Sequence, residues 1–415
     1  MKIKKVITTE GLNGFYNDDK TAIKKGAKMD GFIYRGEPLT PGFKTIRMPG
    51  VAVSIIFILE DGSYAFGDCS SVQYAAVGGR EPYLTADEMV RLAMEKITPA
   101  FEGREVTTFR KMSMEIEEME HQGLKINSSV RYGASQAVLD AVSKVRRITA
   151  AEVVADEYGT EVSTEPIRIN AQSGDDRYTN VDKMILKRAG FMPHGLINNM
   201  EQKLGRDGEI FLNYVRWVKN RIFDIGEEDY RPVLRFDVYG TIGEAFQNNV
   251  QRIVDYLRKV SEAAHPLELF IEMPVDMGNK EDQFKVMGEI KKGLREKGID
   301  VNLIIDEYAN TFGEIKEWAD SDACDMVQVK TADLGALHNS VEAVLYCKKV
   351  GKKAYLGGSC TETDQSARLC ANIALATQPF ACSGKPGMGV DEALMIINNE
   401  MQRVLAICKA RRKGL

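Results

Sequence analysis

The sequence predicts an α/β protein in which a TIM-type (β/α)8 barrel follows a smaller N-terminal α+β domain. From about residue 163, short apolar runs alternate with amphipathic helices, which is the pattern of parallel strands joined by helices. Acidic residues end three successive runs at intervals of 35 and 34 positions, close to the length of one βα unit. The residues before 163 instead contain strands followed by helices, which indicates a separate α+β unit.

Length and composition agree with two domains in one globular chain. The 415 residues exceed what a single hydrophobic core usually serves, so we expect an N-terminal domain over 1–162 and a barrel over 163–415. Hydrophobic residues make up 44% and charged residues 28% of the chain, as in ordinary globular proteins. The net charge is -5 and opposite charges are interleaved, so we expect no basic face that binds nucleic acid.

The sequence also predicts a cytoplasmic protein. The lysine-containing N-terminus is not followed by the apolar segment of a secretion signal, and no apolar run approaches the ~18 residues that span a membrane. The seven cysteines form no CxxC pair and show no disulfide spacing. Reduced thiols fit the cytoplasm, so we expect neither a membrane partner nor a disulfide framework.

The N-terminal domain is expected to combine a sheet with helices. Residues 51–68 predict two strands joined by a hairpin turn at Asp61 and Gly62. Thr85 and Glu88 have the spacing of a capping box, which marks the start of a helix. Helical periodicity is present in three stretches, 85–93, 109–121 and 133–157.

Five strands of the barrel are recognisable as apolar runs that lead into polar residues. They lie within residues 233–240, 267–275, 301–309, 326–335 and 353–360. The segments between them repeat apolar residues three and four positions apart, as helices packed on a sheet require.

Asp237, Glu272 and Asp306 are the acidic residues that end three successive runs. Neighbouring strand ends of a (β/α)8 barrel lie side by side at its C-terminal mouth, so the three side chains are predicted to converge. Carboxylates this close repel one another, whereas Mg2+ binds oxygen ligands at about 2.1 Å. The spacing therefore predicts a Mg2+ site.

Lys330 ends the next run, and Gln328 lies two positions before it on the same side of the strand. Burial and a neighbouring cation both lower the pKa of an ammonium group, so we expect Lys330 to act as a base. A lysine base beside Mg2+ predicts abstraction of a proton alpha to a carboxylate. One such strand-end residue is more often a loop cap or a salt-bridge partner, and the prediction depends on four of them in register.

The segment AQSGDDRYTNVDKMILKRAGFMPHGLIN at 171–198 resembles the signature segment of the methylaspartate ammonia-lyases, a family of the enolase superfamily. Further similarity lies in GDCSSVQY at 67–74, QVKTADLG at 328–335 and KPGMGVDE at 385–392, and it extends over nearly the whole chain. The resemblance implies a barrel with an N-terminal α+β cap. It also implies a carbon–nitrogen lyase that converts the amino acid 3-methylaspartate to mesaconate in glutamate degradation.

The resemblance implies roles for the residues that spacing selects. Asp237, Glu272 and Asp306 would hold Mg2+. Lys330 would remove the C3 proton of (2S,3S)-3-methylaspartate. His194 would stand on the opposite face of the substrate and act on the other C3 epimer; without the motif, a solvated or core histidine would be the ordinary interpretation.

The resemblance implies five substrate-binding residues: Gln73, Gln172, Gln328, Ser359 and Cys360. The two barrel glutamines, Gln172 and Gln328, would bind the two substrate carboxylates. Ser359 and the Cys360 amide would bind the alpha-carboxylate, and Gln73 would lie near the leaving amine. Outside this motif context, the glutamines would be surface amides and Cys360 a small buried residue.

Two other functions remain open at this point. A superfamily racemase, cycloisomerase or dehydratase would share the carboxylates and the lysine, but those enzymes more often carry a KxK pair where this chain has Gln172, Ser173 and Gly174. A metal-stabilised barrel that binds a dicarboxylate without catalysis is the second alternative.

Asn170 and Ser383 stand where bulkier apolar residues are expected for the family. If they line the pocket for the 3-methyl group, that pocket is more polar or roomier than usual. Strictness for the methyl group therefore stays open, as do the epimer preference, a monovalent cation such as K+, and the oligomeric state, for which a homodimer is expected.

Overall fold

The structure is a computed structural model that describes residues 1–70, 80–358, 363–384 and 389–414. The strands before the barrel are β1 (Ile3–Asp18), β2 (Lys28–Asp30), β3 (Ile33–Arg35), β4 (Arg47–Leu59), β5 (Tyr64–Ser70), β6 (Glu120–His121) and β7 (Leu124–Lys125). The barrel strands are β8 (Ile169–Asn170), β9 (Phe191–His194), β10 (Val233–Asp237), β11 (Leu269–Glu272), β12 (Asn302–Ile305), β13 (Met326–Val329), β14 (Lys353–Gly357) and β15 (Ala381–Ser383).

The helices of the described residues divide in the same way. Those before the barrel are α1 (Lys20–Lys24), α2 (Ala86–Leu92), α3 (Thr98–Phe101), α4 (Phe109–Glu117), α5 (Ser128–Arg146) and α6 (Ala150–Tyr158). Those of the barrel are α7 (Arg177–Leu186), α8 (Glu209–Ile225), α9 (Thr241–Ala245), α10 (Val250–Ala264), α11 (Lys280–Glu296), α12 (Phe312–Asp320), α13 (His338–Lys349), α14 (Asp364–Thr377) and α15 (Gly389–Arg412). Two π-helical turns cover Ala93–Ile97 and Met200–Leu204.

The N-terminal sheet is antiparallel, with the strand order β1-β4-β5. The predicted hairpin is confirmed, since Asp61 lies in the turn between β4 and β5 and accepts a hydrogen bond from the Ser63 amide at 2.9 Å. The capping box of Thr85 and Glu88 at α2 is confirmed as well. The sequence did not predict β1, because most of its residues are polar or exposed and lack the apolar pattern of a buried strand.

The single helical stretch predicted over 133–157 is wrong, because two helices occupy it. Helix α5 ends at Arg146, and Arg147 adopts a left-handed conformation with φ 55°. Thr149 then caps α6 together with Glu152 in a second capping box. This T-x-x-E spacing is visible in the sequence and marks the break.

The barrel is closed and parallel, in the order β10-β11-β12-β13-β14-β15-β8-β9. A strand forms within each of the five predicted runs. Strands β8, β9 and β15 were not predicted. Strands β8 and β15 contain only two and three residues, too few to show a period, and β9 contains Pro193.

The barrel interior is layered. Its lower layer is an apolar cluster of Phe191, Val233, Phe270, Ile304, Met326, Tyr355 and Ala381. Residues two positions further along each strand point in the same direction, because side chains alternate along a strand. The layer above, toward the C-terminal mouth, therefore contains mostly polar side chains: Arg235, Glu272, Asp306, Gln328 and Ser383.

The N-terminal part lies over this mouth and is attached by polar contacts. Thr363 donates a hydrogen bond to Asp68 Oδ2 at 2.6 Å. Arg80 reaches Glu307 and Asp333, each at 3.0 Å. Across the described ranges, no helix is long and apolar enough to cross a membrane.

Close contact between β5 and α5 generates a stability prediction. A Cβ added at Gly67 would collide with the backbone of Gly133 and Ala137, which cannot move without separating the sheet from the helix. We expect Gly67→Ala to lower the free energy of unfolding by about 1–3 kcal/mol, measured by chemical denaturation. Gly11→Ala is the control, because its added Cβ would meet only Ala52 O, at 4.0 Å. Equal effects of the two changes would contradict the packing explanation.

Candidate active site

Three carboxylates meet at the mouth of the barrel. Asp237 and Glu272 end β10 and β11, and Asp306 directly follows β12. One oxygen from each lies within 4.8 Å of the others, and the three residues are buried. These oxygens are close enough to share one octahedral ion, in which ligands at about 2.1 Å lie about 3–4 Å apart.

The charges of these carboxylates are only partly offset by the protein. Burial raises the pKa of Asp237 to about 6, although Arg235 opposes the shift. Burial also raises the pKa of Asp306 to about 8, and the pKa of Glu272 is raised for the same reason. An all-oxygen set with unbalanced buried charge is suited to a hard divalent cation.

Arg235 is the cation that the sequence interpretation missed. Its Nε donates to Glu272 at 2.6 Å, and its Nη2 donates to the hydroxyl of Tyr355 at 2.8 Å. Tyr355 in turn donates to the Glu272 carboxylate at 3.0 Å. A charged residue inside the apolar run VLRFD, two positions before Asp237, is the signal that could have revealed it.

Lys330 directly follows β13, and its Nζ lies 2.6 Å from Asp306 Oδ1. Burial lowers the pKa of this ammonium, but the charges of Asp306 and Glu307 raise it more, so its pKa is raised. The lowered pKa that we expect from the sequence therefore depends on a cation that offsets Asp306. The assignment of Lys330 as the base stays a prediction.

Glu307 links this site to the N-terminal part of the chain. Burial raises its pKa, but the charges of Lys330 and Arg80 lower it more, to about 2. Arg80 also pairs with Asp333, three positions after Lys330. Arg80, Glu307 and Asp333 were not predicted, since their pairing joins positions far apart in the chain.

His194 stands across the barrel from Lys330. It ends β9, which is four strands from β13 in either direction around the closed barrel. Its Nε2 lies 3.4 Å from Asp237 Oδ2 and 3.2 Å from the Tyr239 hydroxyl. Burial, assisted by the charge of Arg235, lowers its pKa to about 3, so the imidazole is neutral near pH 7.

The two glutamines of the barrel also face the mouth. Gln328 is 3% exposed, donates to Gly357 O at 3.2 Å, and its Oε1 has no hydrogen-bond partner among the described residues. Gln172 follows β8 and is half-buried. Three predicted substrate-binding residues, Gln73, Ser359 and Cys360, lie outside the described residues.

Family models match both parts of the chain. Residues 1–159 match the model "Methylaspartate ammonia-lyase N-terminus" and residues 161–410 match "Methylaspartate ammonia-lyase C-terminus".

Individual relatives agree with these models. The methylaspartate ammonia-lyase of Clostridium tetanomorphum is 46% identical over 413 residues, which cover 99% of this chain and 100% of that protein. The methylaspartate ammonia-lyase of Citrobacter amalonaticus is also 46% identical, over 99% of this chain and 100% of its own length.

Solved structures give the same comparison. A Mg-complex of the beta-methylaspartase from Clostridium tetanomorphum superimposes with a TM-score of 0.96, with 99% of this chain and 100% of that chain covered. The Citrobacter amalonaticus enzyme containing (2S,3S)-3-methylaspartic acid also gives 0.96, over 99% and 100%. The muconate lactonizing enzyme of Pseudomonas putida, at 13% identity and a TM-score of 0.59 over 90% and 85%, shares the fold.

The Arg235–Glu272 pair generates a prediction about stability. Arg235→Met leaves Glu272 buried without its cation, and we expect a loss of about 3–5 kcal/mol in the free energy of unfolding, measured in EDTA. A second change, Glu272→Gln, should restore part of that loss. Arg221→Met is the control, because Arg221 pairs with Asp182 at the partly exposed surface, where such a pair contributes about 0–1 kcal/mol. No recovery in the double variant would contradict the pairing argument.

Proposed function

The chain belongs to the methylaspartate ammonia-lyase family and is a carbon–nitrogen lyase, and on that premise we propose that it eliminates ammonia from (2S,3S)-3-methylaspartate to give mesaconate. The observation that carries this proposal is the placement of Lys330 and His194 on opposite sides of the barrel, with three buried carboxylates between their strands. This arrangement gives two groups that can approach a substrate from opposite faces.

Asp237, Glu272 and Asp306 are the residues proposed to hold Mg2+. Their buried oxygens fit one ion, and the Clostridium tetanomorphum relative is described as a Mg-complex. Bound there, Mg2+ would supply a Lewis acid for a substrate carboxylate.

Lys330 is the proposed base for the (2S,3S) substrate. Its Nζ would take the C3 proton, while the C2–N bond breaks with its electron pair leaving on nitrogen and a C2–C3 double bond forms. Nitrogen leaves as ammonia. Asp306, 2.6 Å from Nζ, would hold the ammonium product of Lys330 in place until the proton is lost to solvent.

His194 is the proposed acid–base group on the other face. Burial lowers the pKa of the ring and keeps it neutral near pH 7, so one ring nitrogen has a free lone pair. The Tyr239 hydroxyl and Asp237 fix the position of Nε2. From this position it would remove the C3 proton of the epimer that Lys330 does not reach.

Side-chain amides are proposed to bind the two carboxylates of the substrate. Gln172 and Gln328 carry amide donors at the mouth, and hydrogen bonds to charged carboxylates are among the stronger ones in proteins. Gln73, Ser359 and the Cys360 amide remain proposed substrate contacts on the sequence resemblance alone.

The two alternative functions are less well supported. A racemase, cycloisomerase or dehydratase would belong to another branch of the superfamily, whereas both family models and the relatives are methylaspartate ammonia-lyases. A barrel that only binds a dicarboxylate would not need a lysine and a histidine on opposite strands.

Several broader predictions accompany this proposal. We propose that residues 1–162 cap the site and 163–415 form the catalytic barrel; α6 ends at Tyr158 and the first barrel strand begins at Ile169. A cytoplasmic location stays a prediction from the sequence pattern. A homodimer, an additional monovalent cation such as K+, and a place in glutamate degradation stay predictions from the resemblance.

The first test is product formation with and without Mg2+. We expect the ultraviolet absorbance of conjugated mesaconate to rise when (2S,3S)-3-methylaspartate and Mg2+ are added, and EDTA to abolish the rise. Asp237→Asn should need more Mg2+ for the same rate, because one charged ligand is lost. Asp182→Asn, at the surface, is the matched control. Folded protein that gives no Mg2+-dependent rise would refute the proposed reaction.

Epimer selectivity tests the two opposed groups. We expect Lys330→Ala to lower kcat on the (2S,3S) epimer by about 100-fold or more, the typical contribution of a positioned acid or base. His194→Ala should lower kcat mainly on the (2S,3R) epimer. Ammonia release measures both reactions, and circular dichroism checks the fold. If each variant lost activity on the two epimers to the same extent, the assignment of Lys330 and His194 to opposite faces would be wrong.

A further inference from the structure

A pair of polar side chains, Asn170 and Ser383, lies inside the barrel where β8 meets β15. The two residues are partners in the strand register, and both are 0% exposed. Asn170 Nδ2 donates to Ser383 Oγ at 2.8 Å. The pair therefore lies in the polar layer of the interior, above the apolar cluster and beside the charged residues of the mouth.

Both side chains point toward the barrel axis. Ser383 lies two positions after Ala381, a member of the interior cluster, so it points in the same direction. Pairing with β9 continues beyond Asn170, since the amides of Ala171 and Ser173 donate to Phe191 O and Pro193 O at 3.3 and 3.1 Å. The chain therefore remains extended, and Gln172 repeats the direction of Asn170 one step nearer the mouth.

Ser383 also lies beside the second glutamine of the site. A Cβ built on Gly358 would lie 2.7 Å from Gln328 Nε2 and 3.2 Å from Ser383 Oγ, so both atoms pack closely against this glycine. The Asn170–Ser383 pair thus connects Gln172 to Gln328, the two side chains proposed to bind the carboxylates at the ends of the substrate. A substituent on the carbon chain between those carboxylates would approach this pair.

One polar atom of the pair has no partner. Asn170 Oδ1 is buried and accepts no hydrogen bond from any residue within the described ranges. Ser383 Oγ already accepts from Asn170 and lies 3.4 Å from Gly384 O. A buried amide oxygen of this kind is unfavourable unless a bound group donates to it. A hydroxyl group is a suitable ligand, because it can donate to the unpaired amide oxygen.

We propose that Asn170 and Ser383 form a polar subsite for the C3 substituent, so that the enzyme accepts a 3-hydroxy dicarboxylic amino acid such as (2S,3S)-3-hydroxyaspartate. This inference rests on the proposed function, because the reaction is the same elimination. The C3 proton passes to the base, the C2–N bond breaks with its electron pair on nitrogen, and a C2–C3 double bond forms. The enol product becomes a keto acid when the hydroxyl proton is lost and C2 is protonated.

The test compares ammonia release from (2S,3S)-3-hydroxyaspartate and (2S,3S)-3-methylaspartate by the Mg2+-loaded protein. We expect the wild-type protein to deaminate both. In the double variant Asn170→Leu, Ser383→Ala, we expect the ratio of kcat/KM for the hydroxy substrate to that for the methyl substrate to fall by about tenfold or more. Sites that bind a substrate hydroxyl discriminate strongly, whereas an apolar pocket does not bind it.

Ser340→Ala is the matched control, because Ser340 is a fully buried serine of α13 whose Oγ has no hydrogen-bond partner among the described residues. Its ratio should equal that of the wild-type protein. If the double variant does not fold, the same ratio of kcat/KM values is compared between Ser383→Ala and the wild-type protein. An unchanged ratio in the folded variants, or wild-type protein that deaminates only the methyl substrate, would overturn the subsite. Release of ammonia from neither substrate would instead overturn the proposed function.

Discussion

Three carboxylates buried within 4.8 Å of one another are the constraint on which the rest of the barrel mouth depends. Such a group is unstable without compensating charge, and the protein supplies only part of it. Arg235 lies beside Glu272 and Lys330 beside Asp306, while Asp237 has a histidine whose ring is neutral. Burial is the main reason why these carboxyl groups have raised pKa values, with the neighbouring carboxylates adding to it. The remaining negative charge is the reason why a divalent cation suits the site.

The same charge balance connects the N-terminal part of the chain to the site. Glu307 adjoins Asp306 and would add a fourth negative charge if Arg80 did not pair with it. Arg80 precedes α2, in the part of the chain that lies over the mouth, and it is 8% exposed at its side chain. Arg80 thus balances charge at the mouth through its pairs with Glu307 and Asp333, which gives the N-terminal part an electrostatic role in the site.

The sequence predicted the residues whose positions follow from the repeat of the fold. In a closed parallel barrel, successive strand ends are spatial neighbours. The regular spacing of Asp237, Glu272 and Asp306 therefore predicted that their side chains lie together, and the next strand end, Lys330, was predicted to lie beside them. Spacing could not predict Arg80, whose partner Glu307 is 227 positions away. It also missed β8, β9 and β15, which are too short or too irregular to show a period. His194 was identified by resemblance only, and its position opposite Lys330 follows from the closure of the barrel.

The proposed reaction and the proposed choice of C3 substituent depend on different strands of the barrel. The acidic cluster and Lys330 belong to β10 through β13 and the residues that follow them. Asn170 and Ser383 belong to β8 and β15, on the other side of the ring. A polar change at that seam can alter which C3 substituent binds while the carboxylates and the lysine keep their geometry. Membership of a family at 46% identity therefore supports the elimination reaction more strongly than it supports a methyl group at C3.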